Sequence, residues 1–485
     1  MSSTIPALIT LFAQQDARSL KDRVAATLRV LIVSRRLPDK TKLPSSRILA
    51  KDLSVSRITV EAAYTQLESE GYLQRYPGKG TFVISTETKS AQPPTTANWP
   101  FSTDPSLSDR GKTLFHHPFS HDPLFSCAFA AGSPDLQAFL HRQWQRLVNQ
   151  RLQQAPEKMM GYGEIQGLQT LRESIARYLA LSRGVKCHAD QILVMTSSQQ
   201  AIHLLAIMLC DPATPVMVEE PGYPGARSAL LSAGASLSGL SVDQEGAMLP
   251  DSALAPRLVY LPPSHHYPLG VMMSQQRRQQ WLEYASQHQC WVVEDDYDSE
   301  FYYQTQPLPA LQSRDSGGRV IYLGTFSKVL YPSLRLAYMV VPEPLVGPLM
   351  VARQIADGHP SQLMQAVTAD FINQGYFQAH LRLMRQLYAY RRSLLVNQLQ
   401  QKVGEHLQII DHQHGMQLAA VFRHKKNNEN QLTLEARKHD LILPRLANSY
   451  MGHSAQQGWL LGFSALQGQA IIEGVDKLAS LTFTR

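Results

Sequence analysis

Three short stretches carry residues whose types and spacing could do chemistry. The first is LGTFSKVLYPSLRLAY, residues 323–338. Val320-Ile321-Tyr322-Leu323 read as a short buried strand bounded by Gly324, so Lys328 falls just past a strand end. Thr325 and Ser327 flank it, and Arg335 follows. Such a lysine is either an ordinary surface turn residue or a desolvated amine close to other cations, as Schiff-base chemistry requires. The second stretch, Glu294-Asp295-Asp296-Tyr297-Asp298, puts four carboxylates in five residues after Trp291-Val292-Val293. That crowding is costly unless a cation or a divalent metal neutralises part of it, and no histidine pattern supports a metal. The third, Thr196-Ser197-Ser198-Gln199, opens a helix, where hydroxyls and free N–H groups suit a phosphate or simply cap the helix.

The elements that must position these residues are legible from about residue 125. QAFLHRQWQRLVNQRL and GLQTLRESIARYLALSRGV are amphipathic helices. QILVMTSSQQAIHLLAIMLC and PVMVEEPGYPGARSALLSAG each read as strand, turn and helix; RLVYLPPSHHYP and CWVVEDDYDSEF add strands that end in polar residues. Strands alternating with helices imply an α/β fold with a mainly parallel sheet, which binds ligands at the carboxyl ends of its strands. A phosphate site, a buried carboxylate and an amine together suit pyridoxal 5'-phosphate: a lysine for the aldimine, a carboxylate for the pyridinium nitrogen, and Arg335 with the helix start for the phosphate. Lys328 follows Asp295 by 33 residues, room for one loop and one strand.

The chain has 485 residues, 44% hydrophobic and 18% charged, enough for more than one domain and unlike a disordered protein. No apolar run is long enough to span a bilayer, and MSSTIPALITLFAQQD has no basic region before its apolar patch, so a cytoplasmic protein without a signal peptide is expected. Cys127, Cys187, Cys210 and Cys290 lack metal-ligand spacing and read as buried thiols; His116, His117 and His121 read as loop histidines, so no metal is expected. Residues 1–90 hold 14 of the 46 Lys and Arg but only 8 of the 39 Asp and Glu, so most of the net charge of +7 lies there. That asymmetry points to a polyanion partner for the N-terminal segment.

Within that segment, residues 17–36 place Leu20, Val24, Leu28, Leu31 and Ile32 on one helical face. Ser45 caps a short helix, LSVS turns, and Ser56 caps a second helix carrying Val60, Tyr64 and Leu67 inward until Gly71 stops it. Tyr72-Leu73 and residues 80–84 then read as two strands. Helix, turn, helix and hairpin make a winged helix-turn-helix, whose second helix enters the major groove with Ser56, Arg57 and Thr59 at the base edges. Arg47 and Lys79 are placed against the DNA backbone, and Thr81 is a further DNA-binding candidate.

LPSSRILAKDLSVSRITVEAAYTQLESEGYL resembles the DNA-binding domain of the GntR family of bacterial repressors, over about residues 15–85. One departure is Glu61, where family members often carry a basic residue. Residues 125–485 resemble the fold-type I aminotransferases. That resemblance implies Lys328 for the aldimine, Asp295 for the pyridinium and Tyr297 as donor to the ring hydroxyl. It also implies Tyr223 near the ring, and Ser198, Gln199 and Arg335 at the phosphate, with Ser327 among the cofactor contacts. PSHHYPLG falls where these enzymes have an asparagine-containing turn; the asparagine is missing, and His265 and His266 are the candidates to replace it. The late strand Trp459-Leu460-Leu461-Gly462-Phe463-Ser464 lacks the usual substrate-carboxylate arginine, and Arg445 is the candidate substitute for effector binding.

Both likenesses in one chain resemble the MocR subgroup of GntR regulators. The expected organisation is a winged helix-turn-helix over 10–85, a Pro-, Ser- and Thr-rich linker over 86–112, and an aminotransferase-like domain over 113–485. The resemblance implies a homodimer, head-to-tail, that binds an operator and senses pyridoxal phosphate or an amino compound reacting with it. The rival is a metabolic aminotransferase with an accessory N-terminal domain, and turnover of an amino acid and keto acid pair separates the two.

Overall fold

The computed structural model describes residues 8, 11–12, 17, 19–34, 36–84, 107–116, 129–250, 255–304, 308–452 and 456–483. The chain divides into two compact units, Met1–Ser106 and Leu107–Arg485.

The first unit is built on α1 (Leu20–Val33), α2 (Ser46–Asp52), α3 (Arg57–Ser69) and a hairpin of β1 (Leu73–Tyr76) and β2 (Gly80–Val83). Ser45 and Ser56 cap α2 and α3, accepting from the backbone N–H of Ile48 and Thr59. Leu28, Leu31, Leu49, Val60, Leu67 and Leu73 form one buried core. Each such side chain contributes roughly 1.5–3 kcal/mol by burial, which is what holds so short a unit together. The Tyr64 hydroxyl donates to Pro44 O at 2.8 Å and ties α3 to the turn before α2. Leu20, expected on the inner face, is 52% exposed because it stands at the first position of α1.

The second unit starts earlier than composition implies. Helix α4 (Asp109–His116) begins inside the expected linker, since Ser108 Oγ accepts from Gly111 N and Asp109 occupies the first turn. His116 therefore ends a helix rather than lying in a loop. Residues 85–106, His117, His121 and Cys127 lie outside the described residues.

Beyond it run α5 (His141–Gln154), α6 (Pro156–Met160), α7 (Gln169–Arg183), β3 (Ile192–Met195), α8 (Ser198–Leu209), β4 (Pro215–Glu220), α9 (Pro224–Ser232), β5 (Ser236–Asp243), β6 (Gly246–Ala247) and β7 (Leu258–Leu261). Next come α10 (Gln275–His288), β8 (Trp291–Asp296), β9 (Val320–Thr325), β10 (Ala337–Val340), α11 (Glu343–Ala356), α12 (Gln362–Asn373) and α13 (Tyr376–Val403). The unit closes with β11 (Leu407–Ile410), β12 (Gln417–Phe422), α14 (Glu429–Lys438), β13 (Gly458–Gly462) and α15 (Gly468–Ala479).

Eight strands form one sheet in the order β3-β10-β9-β8-β7-β4-β5-β6, and β11-β12-β13 form a separate antiparallel sheet. Strands β9, β8, β7, β4 and β5 run parallel, β10 is antiparallel to both β9 and β3, and the short β6 is antiparallel to β5. The carboxyl ends of β3, β7, β8 and β9 thus share one edge with the start of β10. This topology gathers the three chemistry-bearing stretches, far apart in sequence, at one place. Among the described residues no helix is long and apolar enough to cross a membrane.

Candidate functional site

The four crowded carboxylates are separated by strand alternation and by their partners. Glu294 accepts from the backbone N–H of Leu311 (2.7 Å) and Gln312 (2.9 Å). Asp296 takes Arg183 Nε at 2.7 Å and the Tyr322 hydroxyl at 2.6 Å. Asp298 pairs with His265 Nδ1 at 2.7 Å. Asp295 accepts from the Tyr260 hydroxyl with Oδ2, and its buried Oδ1 has no hydrogen-bond partner among the described residues. Burial pushes the Asp295 carboxyl up to about 7; the bond from Tyr260 and the nearby Lys328 pull the other way. Among the described residues no group of three or more histidine, cysteine or carboxylate side chains is placed to hold a metal ion.

All eight residues read from the sequence as cofactor contacts line one cavity of about 210 Å3 at the carboxyl edge of the sheet. Lys328 lies in the turn after β9, and its Nζ donates to Gly132 O at 3.0 Å. Gly132 has a φ of +75°, and a Cβ there would come within 2.9 Å of Nζ, so this approach requires glycine. Ser327 N donates to Thr325 Oγ1 at 3.1 Å and tightens the same turn. Arg335, left-handed at φ +52°, precedes β10 and so returns to this edge. Tyr297 lies past the end of β8 with its hydroxyl buried and without a partner among the described residues. Burial, then Asp298, raises its pKa well above the usual phenol value.

At the anion end, Ser197 caps α8, accepting from Gln200 N at 3.1 Å. The Gln199 side chain is turned to Gly225 O, donating at 2.6 Å, which leaves its backbone N–H for a ligand. Ser197, Ser198, Gln199, Ser327 and Arg335 all face the cavity.

Two expectations are corrected. His265 and His266 do not line this cavity; Tyr267, the next residue, does, with its ring 5.5 Å from that of Tyr223. His265 is held by Asp298 and stacks on Tyr297, while His266 Nε2 donates to Pro221 O at 2.9 Å. The turn presents its third ring inward and spends the first two on packing. Arg445 also lies off the cavity: its guanidinium engages Asn430 and, at 3.1 Å, Asn448, and only the neighbouring Pro444 reaches the lining. Tyr260, Tyr267, Gln417 and Ser197 line the cavity and were missed. Ser197 stands in the hydroxyl run and Tyr267 in the PSHHYPLG turn, but Tyr260 and Gln417 carry no local signal.

In the first unit, Arg47, Arg57 and Lys79 are exposed, and Thr59 and Thr81 are half-buried. The Ser56 and Thr59 hydroxyls lie 2.8 Å apart, so the cap holds both at the start of α3. Ile58 between them is 81% exposed and was not singled out from the sequence. Glu61 is neutralised within the unit: Arg75 lies 3.3 Å from it and also 3.3 Å from Glu68.

Residues 128–450 match the family model of aminotransferase class I and II, and residues 20–83 match that of the bacterial regulatory proteins, gntR family. The chain is 38% identical over 454 residues to the probable rhizopine catabolism regulatory protein MocR of Rhizobium meliloti, covering 93% of this chain and 92% of that protein. The kynurenine aminotransferase of Pyrococcus horikoshii, solved in complex with PMP, KYN and KYA, superposes with a TM-score of 0.68 at 26% identity, over 76% of this chain and 91% of that one. LysN, the alpha-aminoadipate aminotransferase of Thermus thermophilus, complexed with N-(5'-phosphopyridoxyl)-L-leucine, gives a TM-score of 0.68 at 25% identity, over 77% and 94%. The chain therefore belongs to the gntR family of bacterial regulatory proteins, in the MocR-type group that joins the DNA-binding helix-turn-helix to an aminotransferase class I and II domain.

Proposed function

We propose that this protein is a DNA-binding transcription regulator whose second unit binds pyridoxal 5'-phosphate, and whose hold on DNA responds to that cofactor or to an amino compound that meets it at Lys328. The observation that carries the cofactor assignment is a pair of buried atoms without a hydrogen-bond partner among the described residues, Asp295 Oδ1 and the Tyr297 hydroxyl, on two residues that line one cavity. Buried polar atoms of this kind mark a place built for a ligand. When bound, the cofactor supplies an aldehyde that combines with amines and a protonated ring nitrogen that withdraws electrons.

The chain's own residues then have separable tasks. Lys328 supplies the amine, steadied by Gly132 O. Asp295, at about 7 when alone, is drawn to its charged form by a protonated nitrogen beside it. Tyr297 offers a hydroxyl to the ring oxygen, and Tyr223 with Tyr267 shapes the ring's surroundings. The first turn of α8, Ser327 and Arg335 take the phosphate. An effector alters DNA binding only if it favours one state of the protein over another.

At the other unit, the start of α3 presents Ser56, Arg57 and Thr59 to the major groove while Arg47, Lys79 and Thr81 hold phosphates. A homodimer would present two such helices to paired half-sites, in the cytoplasm where the operator is. The rival reading, a metabolic aminotransferase with an accessory module, leaves the complete helix-turn-helix unexplained.

The test is an absorption spectrum of the purified protein with pyridoxal phosphate, beside Lys328→Ala. A borohydride-sensitive visible band in the wild type alone, with operator binding that shifts on adding an amine, supports the reading. Absence of the band in both proteins sinks the cofactor assignment. Rapid turnover of an amino acid and keto acid pair with no DNA binding sinks the regulator.

A further inference from the structure

Two sets of residues line the cavity. One is assigned above to the cofactor. The other includes Ala131, Gly132, Met416, Gln417 and Pro444, and is left to form a wall for the remainder of an incoming amine. We infer that the effector is an amine whose other polar groups are neutral hydroxyls, not an amino acid; this inference rests on the cofactor reading of the same site.

Charge decides it. Among the described residues, two cationic side chains line the cavity, Lys328 and Arg335. The first is the amine that the effector meets, and the second belongs to the phosphate. The arginines on nearby elements are already committed. Arg391 is bound to Asp135 at 2.7 Å and to the Ser464 carbonyl, and Arg392 is bound to Asp411, with Nε at 2.8 Å. Arg445 is held by Asn430 and Asn448. Asp298 also lines the cavity, but it is already paired with His265 Nδ1 at 2.7 Å, and Asp295 is assigned above to the ring nitrogen. A carboxylate entering this space would lose its water and find no uncommitted cation among these residues. An ion buried without a partner is strongly disfavoured.

Gln417 is what the wall offers instead. It is buried, begins β12, and its Oε1 lies 3.9 Å from where a Cβ on Gly132 would stand. Gly132 is the residue whose carbonyl holds Lys328 Nζ, so the carboxamide stands close to the reacting amine. A carboxamide both donates and accepts, which matches a hydroxyl and cannot neutralise a carboxylate.

The experiment uses the full-length protein loaded with pyridoxal phosphate and matched pairs of small amines: 2-aminoethanol against glycine, serinol against serine, and 3-aminopropan-1-ol against β-alanine. The readout is the concentration that shifts the cofactor band, each divided by the value for free pyridoxal phosphate. The alcohols are expected to act at concentrations at least about tenfold lower than their acids. Gln417→Leu should weaken the alcohols and leave the acids unchanged, and Gln417→Arg should reverse the order. The wild-type comparison stands alone if either variant fails to fold. A loaded protein in which the acids act equally well, or in which neither class shifts the band, overturns the inference and leaves the cofactor reading standing. Failure to form the band at all overturns both.

Discussion

The hydroxyl of Tyr260 on β7 donates to Oδ2 of Asp295 on β8, and the other carboxylate oxygen is buried without a partner among the described residues. The two strands are parallel neighbours, with Tyr260 in register with Val293. One oxygen is therefore oriented by the protein and the other is left for a ligand. The bond also favours the charged carboxylate against its burial.

Tyr260→Phe should accordingly raise the Asp295 pKa above about 7 and weaken pyridoxal phosphate by about tenfold, the value of a hydrogen bond to a charged group. Asp295→Asn should weaken it further, because the amide cannot ionise. Spectral titration of cofactor into the two variants checks the order. Equal affinity of Tyr260→Phe and wild type would show that the tyrosine merely packs.

Lys328 and Asp295 stood out because each comes just after a run of apolar strand residues, and strand ends are where an α/β sheet keeps its polar groups. The bond from Tyr260 was not, since 35 residues separate it from Asp295 and only strand order makes them neighbours. Gln417 is hidden for the same reason: its nearness to Lys328 depends on how β12 lies against the turn at Gly132. His265, His266 and Tyr267 sit side by side, and the sequence does not say which ring turns inward. The caps of α2 and α3 were readable because a cap is a local device, fixed within three residues.

At the DNA face, Arg57→Ala should cost about 1–3 kcal/mol of specific affinity and relax preference at one base pair. Ile58, 81% exposed beside it, suits contact with a thymine methyl group. Ile58→Ser should therefore relax preference for one A·T pair without changing the salt dependence. A binding-site selection with both variants reads this directly, and an unchanged consensus for Ile58→Ser would remove that residue from the reading surface.

Glu61→Gln tests the one departure from the family's recognition helix. The Glu61–Arg75 pair is half-exposed, so its loss should change stability by no more than about 1 kcal/mol. Arg75 stays anchored by Glu68 and by Thr65 Oγ1 at 3.0 Å. Removing a negative charge near phosphate should tighten non-specific DNA binding and steepen its salt dependence by about one counterion. Weaker binding would mean that Glu61 reads a base itself.

His266 sets a pH limit on the second unit. Its Nε2 donates to Pro221 O and its Nδ1 accepts from Leu269 N at 3.3 Å, and the accepted bond needs the neutral ring. Burial, reinforced by His265 and His412, lowers its pKa to about 3; Glu219, 3.5 Å from Nε2, is itself pushed well up by burial. The unfolded chain takes a proton on this histidine below about pH 6.5 and the fold does not, so the stability it contributes is full above that pH and is lost as pH falls. The buried carboxyls act oppositely: Asp295 and Glu300 are raised to about 7 and Glu294 to about 6, so their contribution grows as pH falls. Comparing wild type with His266→Gln cancels those carboxyls. The stability gap, read by urea unfolding, should narrow by about 2 kcal/mol between pH 7.5 and pH 5. A gap that stays constant would place a charged histidine in the fold and deny the neutral bridge between Pro221 and Leu269.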